Sequence, residues 1–302
     1  MSTPETHSVP KDSATVILVR RAQGKAPEAF LARRHASQSF MAGVYVFPGG
    51  QLETADADIA LTKLISAKDD FHPDSLLQDG TLTREMALGF YICAIRETFE
   101  ETGVLFARTK SGHQIDFGNA IIQARFATHR HSLNLGEITL AEIIRQEELV
   151  LMPESLIPYS HWITPEIIPT RFSTRFFLAE FPHGQNAVTD SDELTSSMWV
   201  TPSDALQMYT AGKIAMMPPT LKTLEEMAEF TSLGELFTAA KNRIIHPIMP
   251  QPMKDGLMLP HDPEYSIARY KQPVRPGETS RFLLVGGKWQ SAEFHKKTLN
   301  LP

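Results

Sequence analysis

Residues 96–104 read Arg-Glu-Thr-Phe-Glu-Glu-Thr-Gly-Val, and this stretch constrains the chain more than any other. Residues three and four apart share a helix face, so a helix here would bring the carboxylates of Glu97, Glu100 and Glu101 together. Clustered carboxylates repel each other, and their natural partner is a hard divalent cation such as Mg²⁺ or Mn²⁺. Arg96 lies four residues before Glu100 and could hold that carboxylate by a charge-assisted hydrogen bond. A solvated acidic helix face is the plainer alternative.

A glycine-rich turn upstream favours the metal interpretation. Residues 47–50 read Phe-Pro-Gly-Gly, and paired glycines let a backbone pass close to a ligand. With the acidic stretch, this turn resembles the signature of the Nudix hydrolase family, Gly-x5-Glu-x7-Arg-Glu-U-x-Glu-Glu-x-Gly-U, in which U is apolar. Gly50 matches the first position, and the later positions are matched by Arg96, Glu97, Glu100, Glu101, Gly103 and Val104.

The chain departs from this signature at three places. Asp56 stands where the signature has Glu, and Thr98 stands at a position that is usually apolar. Between Asp56 and Arg96 there are 39 residues where the signature allows seven, an insertion of 32. One branch of the family carries such an insertion, the coenzyme A diphosphatases related to human NUDT nineteen. The chain resembles this branch in the segments 39–50, 92–97, 161–165 and 171–177, and the likeness covers roughly residues 13–240.

The resemblance implies an α/β (α+β) fold, a Nudix α/β/α sandwich with a mixed sheet, a helical insertion and a C-terminal appendage. We predict a flexible N-terminus over 1–12, a Nudix hydrolase domain over 13–242 with the insertion at about 57–88, and an extension over 243–302. Seven of the thirty residues from 247 to 276 are proline, which predicts an irregular course there. A hairpin around Gly286-Gly287 should follow, and the appendage should wrap on the main domain or exchange with a partner subunit.

Local patterns predict the elements around the motif. Apolar β-branched residues indicate a central strand over 14–19, which should pair with 29–32, and further strands are expected at 44–47, 157–164, 171–180 and 198–200. A long helix should begin after Thr83 and end at Gly103, with Met86, Phe90, Ala94 and Ile95 facing inward. Inside the insertion we expect one short helix, broken at His72-Pro73 and Asp79-Gly80. Segments 117–148, 202–210 and 218–230 should be helical, the first as a cap or lid.

The resemblance also implies the chemistry, which is the cleavage of a diphosphate joining a nucleoside to another moiety. Glu97, Glu100 and Glu101 would hold Mg²⁺ or Mn²⁺, with Arg96 as a further catalytic residue and the Gly50 carbonyl as another oxygen. Asp56 is expected to support the loop through Arg96. Glu193 is our candidate for a base or additional ligand, and an acidic surface turn is an equal alternative there. Adjacent histidines do not share a helix face, so His129 and His131 indicate a polar surface.

Phosphate contacts are assigned to arginines and to the glycine turn. Arg34, Arg171 and Arg175 suit bidentate oxyanion binding, although a surface role is the plainer interpretation for each arginine singly. Gly49 and Gly50 complete the predicted substrate-binding set. Coenzyme A or an acyl derivative is the leading substrate, cut to 3′,5′-ADP and a phosphopantetheine product. A nucleotide sugar, a dinucleoside polyphosphate, a capped RNA, or a non-catalytic ligand sensor with this fold are the alternatives.

The composition limits the class of protein, its partners and its compartment. The 302 residues are 42% hydrophobic and 21% charged, which is typical of a globular chain. A net charge of −6 argues against a stable nucleic-acid partner and leaves a small nucleotide substrate open, with a homodimer as one possible assembly. Cys93, the one cysteine, excludes an internal disulfide and suits a reducing compartment. A signal peptide, a long apolar span and a Ser-Lys-Leu ending are all missing, so we expect a cytoplasmic, bacterial enzyme.

Overall fold

A computed structural model describes residues 8–22, 26–35, 43–65, 71–189 and 194–294. The strands in these ranges are β1 Lys11–Arg21, β2 Pro27–Arg34, β3 Tyr45–Val46, β4 Gly49–Gln51, β5 Ala107–Thr109, β6 Leu149–Leu151, β7 Ile157–Ile163, β8 Phe172–Glu180, β9 Leu194–Val200, β10 Pro247–Ile248, β11 Gln251–Met253, β12 Gly256–Met258, β13 Arg281–Val285 and β14 Lys288–Ala292. The α-helices are α1 Ile59–Thr62, α2 Pro73–Leu77, α3 Arg84–Thr102, α4 Ala120–Asn134, α5 Leu140–Gln146, α6 Pro202–Thr210, α7 Pro218–Met227 and α8 Leu233–Lys241.

A mixed sheet of eight strands organises the molecule, and β1 lies at its centre. The strand order is β10-β7-β8-β1-β2-β3, with β4 also paired to β1 and β9 to β2. β1 runs parallel to β8 and antiparallel to β2 and β4. Consecutive side chains of a strand point to opposite faces, and residues 16–19 of β1 are all buried. Both faces of the sheet are therefore covered, which explains the unbroken apolar run in the sequence.

Two apolar clusters cover these faces and confirm the predicted α/β/α sandwich. One packs Val16 and Leu18 against α3, α4 and α5, and the other packs Ile17 and Val19 against α6, α7 and α8. The predicted cap is thus a pair of helices, α4 and α5, joined to the first layer. In the described ranges, none of the helices is long and apolar enough to cross a bilayer.

Helix α3 carries the acidic stretch and has the predicted ends. The Thr83 hydroxyl accepts a hydrogen bond from the Met86 amide at 3.3 Å, which caps the N-terminus. Gly103 ends the helix in the left-handed region at φ 74°, and its amide donates to the Phe99 carbonyl. The prediction for Met86 was wrong, because this side chain is 40% exposed in the first turn of the helix, whereas Phe90 is fully buried.

Before α3 begins, the described residues of the insertion form two short helices, α1 and α2, rather than one. His72-Pro73 was predicted as a break, but Pro73 begins α2, because a proline fits the first turn of a helix, where its missing N–H costs nothing. At the start of the insertion the Leu151 amide donates to the Leu64 carbonyl at 2.7 Å. At its end the Asp79 carboxylate pairs with the Arg175 guanidinium of β8. Both ends are therefore tied to the main domain.

The C-terminal residues wrap on the α6–α8 layer. β11 to β14 form a four-stranded antiparallel sheet, and β13 and β14 make the predicted hairpin. Phe282 of β13 is fully buried in the apolar cluster of that layer. The Tyr209 hydroxyl of α6 donates to the Trp289 carbonyl at 2.8 Å. The irregular course predicted for 247–276 holds apart from three short strands, while the boundary at 242 stays a prediction.

Among the other elements, some agree with the sequence patterns and others differ. α6 has the predicted bounds, and α7 stops at Met227 instead of residue 230. We missed α8, whose cap is Ser232: this hydroxyl accepts from the Glu235 amide at 3.3 Å. The predicted Gly-Gly turn is also a strand, β4. Residues 23–25, 36–42, 66–70 and 190–193 lie outside the described ranges, and residues 39–42 of the resemblance are among them.

The Asp79–Arg175 pair gives a pH-dependent prediction. Burial alone raises the pKa of Asp79, but hydrogen bonds from Thr81 and Arg175 lower the pKa to about 2 from 3.8. The ionised carboxylate therefore stabilises the fold fully above pH 3.8, and this contribution disappears as the pH falls through about 2. Asp79→Asn should lower the free energy of unfolding at pH 7 by roughly 2 kcal/mol, because it leaves a buried arginine without its counter-charge.

Urea unfolding of wild type and Asp79→Asn between pH 7 and 2 measures this difference. The difference in free energy of unfolding between the two proteins should be constant down to about pH 4 and should shrink below it. Asp74→Asn, on α2 of the same insertion, is the matched control. A difference in free energy of unfolding that stays unchanged down to pH 2 would contradict the stabilising role of the ionised Asp79 carboxylate.

Candidate active site

The guanidinium of Arg96 is the centre of the acidic cluster on α3. Its Nε and Nη2 donate to the two carboxylate oxygens of Asp56 at 2.8 and 2.9 Å. Its Nη1 donates to Glu97 and to Glu100, both at 2.9 Å. Nη2 also donates to the Gln51 carbonyl at 3.0 Å. The predicted Arg96–Glu100 contact is confirmed, and one buried cation neutralises part of the charge of three carboxylates.

Asp56 reaches Arg96 from the other side of the insertion. It belongs to a short 3₁₀ helix, Thr54–Ala57, and is 2% exposed. Its second oxygen also accepts a hydrogen bond from the Glu53 amide at 2.9 Å. The predicted support of the loop through Arg96 is therefore observed. Asp56 therefore supplies, with a shorter side chain, the carboxylate that the signature has as Glu.

The two glycines of β4 place strand β1 and a carboxylate close to the backbone. Gly49 has φ 153°, and a Cβ on it would lie 2.2 Å from the Ala14 carbonyl oxygen. A Cβ on Gly50 would lie 2.4 Å from a Glu97 carboxylate oxygen. The Gly49 amide also donates to Glu101 at 2.9 Å. The glycine pair is thus required to seat two of the three glutamates of α3.

Helix α4 fixes the end of α3 that bears the glutamates. The Glu100 carbonyl accepts hydrogen bonds from Arg130 Nε at 2.9 Å and from Asn134 Nδ2 at 3.3 Å. His129 bonds to Glu147 through Nε2 at 2.9 Å, and His131 is exposed on the neighbouring face. The expectation of a polar surface holds for His131. Arg130 differs from it, because its side chain is buried and caps a helix end.

An open cleft of about 930 Å³ adjoins these carboxylates. α3 and the 3₁₀ helix form one side, and the α4–α5 corner forms the other. Its acidic lining residues are Glu53, Asp56, Asp58, Glu97, Glu100, Glu101 and Glu142. From α4, α5 and the turn between them come His131, Leu133, Asn134, Leu135, Gly136, Ile138, Thr139, Leu140, Ala141 and Arg145. The cleft is therefore strongly acidic on the α3 side.

Burial changes the acidity of two groups beneath the cleft. Desolvation raises the pKa of Glu100 to about 7, although Arg96 opposes this shift. Such a carboxyl gains most from a second cation, because bound charge would favour its ionised form. Burial also raises the pKa of the Cys93 thiol, whose Sγ lies 3.8 Å from the Gly50 carbonyl oxygen. Cys93 is thus a small buried residue, as predicted, and its protonated thiol is a poor nucleophile.

The residues suit a hard divalent ion in donor chemistry. In the described part of the chain, no three His, Cys, Asp or Glu side chains are already arranged as a ligand set. Glu97 and Glu100 are turned to the Arg96 guanidinium instead. Their oxygens are nevertheless the ligands that Mg²⁺ and Mn²⁺ prefer, and Gly50 leaves the Glu97 carboxylate a space that any other residue would fill. The chemistry of these donors therefore fits such an ion.

The arginines predicted to bind phosphate lie elsewhere. Arg171 is buried, and its Nε and Nη1 donate to the carbonyls of Thr164 and Ser8 at 3.1 and 2.7 Å. Arg175 is buried against Asp79 and lies over the Phe90 ring, 5.4 Å from its centroid. Neither lines the cleft, because each is held in a contact that shapes the fold. Arg34 is half-buried at the end of β2 and is also absent from the lining.

Glu193 lies outside the described residues, so its role stays a prediction. The cleft also includes residues that were not predicted to contact substrate: His131, which was interpreted as polar surface, and Arg145. The sequence signal was indirect: segment 117–148 was expected to form a cap, but only the packing of α4 and α5 on α3 shows which of its side chains face the glutamates. The segment predicted as a cap thus supplies the second side of the cleft.

Comparisons with known proteins agree with this geometry. The model of the NUDT19 Nudix domain matches residues 10–227. The acyl-coenzyme A diphosphatase NUDT19 of Xenopus laevis is 27% identical over 316 residues, covering 86% of this chain and 81% of that protein. The protein of the same name from Homo sapiens is 28% identical over 235 residues, covering 68% of this chain and 62% of its own length.

A solved structure supports the fold. The crystal structure of a NUDIX hydrolase from Alicyclobacillus acidocaldarius aligns with a TM-score of 0.62 at 24% identity, covering 76% of this chain and 96% of that one. At this identity the likeness establishes the fold alone. The family match spans well over half of the chain and includes both parts of the interrupted motif. The chain therefore belongs to the NUDT19-like branch of the Nudix hydrolases and is a Nudix diphosphatase.

Proposed function

We propose that this diphosphatase acts on coenzyme A or acyl-coenzyme A and releases 3′,5′-ADP and phosphopantetheine or its acyl form. The carrying observation is the intact set Glu97, Glu100 and Glu101 at one side of an open cleft, in a chain related to proteins named acyl-coenzyme A diphosphatases. A protein that only senses a ligand has no need to keep three glutamates in this arrangement.

The reaction hydrolyses one phosphoanhydride bond. Water attacks a phosphorus atom of the diphosphate, the bond from that phosphorus to the bridging oxygen breaks, and a base takes the proton of the water. Nudix hydrolases generally use divalent metal ions. An ion here, Mg²⁺ or Mn²⁺ in our proposal, would neutralise phosphate oxygens and lower the pKa of the attacking water. Glu97, Glu100 and Glu101 would hold it, with the Gly50 carbonyl as a further oxygen.

The protein's own groups prepare this step. Arg96 holds Glu97 and Glu100 next to each other, and Asp56 and Gln51 fix the plane of its guanidinium. Gly49 aligns Glu101 through its amide. Glu193 is our proposed base, on the strength of its position in the sequence before β9. Contacts of Gly49, Gly50 and Arg34 with the substrate remain part of the proposal.

Product analysis tests the substrate. Purified protein is incubated with Mg²⁺ or Mn²⁺ and, separately, with coenzyme A, acyl-coenzyme A, NADH, ADP-ribose or diadenosine polyphosphates. We expect metal-dependent release of 3′,5′-ADP from the coenzyme A compounds. Cleavage of another compound with the coenzyme A compounds left intact would overturn the substrate while keeping the diphosphatase. Samples containing EDTA are the control for metal dependence.

Glu100→Gln should remove turnover without weakening the fold. The change deletes a charge that a bound cation needs, and we expect kcat to fall by about a hundredfold or more, within the range known for electrostatic groups in active sites. Burial opposes ionisation of Glu100 in the metal-free protein, so the variant should unfold at the same temperature as wild type or higher. Steady-state kinetics and thermal unfolding with EDTA check both parts. Unchanged kcat would contradict the role of Glu100.

The raised pKa of Glu100 also predicts the direction of a pH effect. The metal-free fold holds the proton of this carboxyl more tightly than the unfolded chain, so the stability of wild type should decline as pH rises from 4.5 through about 7. The stability of Glu100→Gln should fall less over this pH range, because the variant has no carboxyl to ionise at position 100. Thermal unfolding of both proteins in EDTA across this range measures the difference, and parallel profiles would contradict it.

Gly50→Ala tests the space beside Glu97. The added Cβ would lie 2.4 Å from the carboxylate, so Glu97 must move and kcat/KM should fall at least tenfold. The matched control is Gly234→Ala, since Gly234 is exposed on α8 with nothing within 4 Å of the added Cβ. The control should keep full activity and gain about 0.5–1 kcal/mol of stability. Equal activity of Gly50→Ala and wild type would contradict the claim that a side chain at position 50 displaces Glu97.

A further inference from the structure

The charges that line the cleft do not match the charge of a diphosphate substrate. Seven lining residues are acidic, whereas among the lining residues that the structure describes only Arg96, His131 and Arg145 can carry positive charge. A diphosphate brings at least two negative charges into this field. A divalent ion held by α3 would offset charge only at the oxygens that it contacts. Some other cation must face the remaining phosphate oxygens.

Arg96 cannot serve as that cation. Each of its three nitrogens already donates to the protein: Nε to Asp56, Nη1 to Glu97 and Glu100, and Nη2 to Asp56 and the Gln51 carbonyl. Its side chain is only 7% exposed. Turning it to a phosphate would leave the buried Asp56 without its counter-charge, which is strongly destabilising. Arg96 therefore positions other groups and does not receive the substrate.

Arg145 is in a position to face the remaining phosphate oxygens. It lies in the last turn of α5, on the side of the cleft formed by α4 and α5, and is exposed. Within the described ranges its guanidinium forms no ion pair or hydrogen bond with the protein. Its electrostatic partner Glu142 is engaged at the start of α5, where the carboxylate accepts from the Thr139 amide and hydroxyl at 2.8 and 2.7 Å.

The backbone under Arg145 is well fixed. Thr139 and Glu142 form a reciprocal cap at the start of α5, and Ile143 and Ile144 of the same helix are fully buried. A long side chain on a fixed helix, with a planar group of five donors, suits a phosphate that arrives from solvent. His131 is a weaker candidate, because its ring has only two nitrogens and cannot offer the planar fork of five donors.

We infer that Arg145 is the substrate-binding residue that receives the phosphate oxygens facing away from the α3 glutamates. The inference rests on the diphosphatase activity of the proposed function but not on coenzyme A as the substrate. Arg145 contacts substrate in the ground state and the transition state alike. Its loss should therefore raise KM more than it lowers kcat.

Binding of α,β-methylene-ADP tests this inference. This diphosphate has a carbon in place of the bridging oxygen, so it cannot be cleaved there, and its dissociation constant can be measured by calorimetry with Mg²⁺ present. Arg145→Gln keeps a helix-forming residue and should raise Kd at least tenfold. Arg145→Lys should have a smaller effect, since an ammonium keeps the charge but loses the planar fork.

The control variant is Arg21→Ala, which removes one exposed arginine at the end of β1, away from the cleft. Its Kd should stay within twofold of wild type, as should its unfolding temperature and that of Arg145→Gln. A Kd for Arg145→Gln within twofold of wild type would overturn the inference, and so would absence of binding by wild type. Cleavage of a compound other than coenzyme A would overturn the proposed substrate, but the same Kd ratio would still decide the role of Arg145.

Discussion

The ion pair between Arg96 and Asp56 is the contact on which the rest of the site depends. The two residues are separated by 39 positions, yet two hydrogen bonds of 2.8 and 2.9 Å join them side by side. This pair closes the base of the insertion and restores the motif that the insertion interrupts. A buried bidentate arginine–carboxylate pair tolerates little change in angle or distance. The insertion can therefore vary in its outer part while the glutamates of α3 keep their place.

Arg96 also explains how three carboxylates can lie close together. It donates to Glu97 and Glu100, and the Gly49 amide donates to Glu101. Burial nevertheless raises the pKa of Glu100 to about 7, so this arrangement compensates the charge only in part. An incompletely neutralised cluster binds a divalent cation more strongly than a fully paired one. The glycines of β4 contribute by leaving room next to Glu97, a requirement of space as well as of charge.

Sequence reasoning predicted the parts of this site that depend on local spacing. The bounds of α3, its Thr83 cap, its Gly103 end and the Arg96–Glu100 contact all follow from positions within one helix. The sequence carries less information where distant packing decides. The residue type of Arg171 and Arg175 suggested phosphate binding, but the sequence held no information on Asp79 or on the Thr164 carbonyl, which hold these arginines. Arg145 was overlooked because the cap helix meets α3 only after the chain has folded.

The central claim is that the α3 glutamates hold a divalent cation. Anomalous diffraction from crystals soaked in Mn²⁺ tests it most directly. We predict a manganese peak about 2.0–2.3 Å from carboxylate oxygens of Glu97, Glu100 or Glu101, with the Asp56–Arg96 pair unchanged. A peak elsewhere, or none while Glu97 and Glu100 remain on Arg96, would contradict the account.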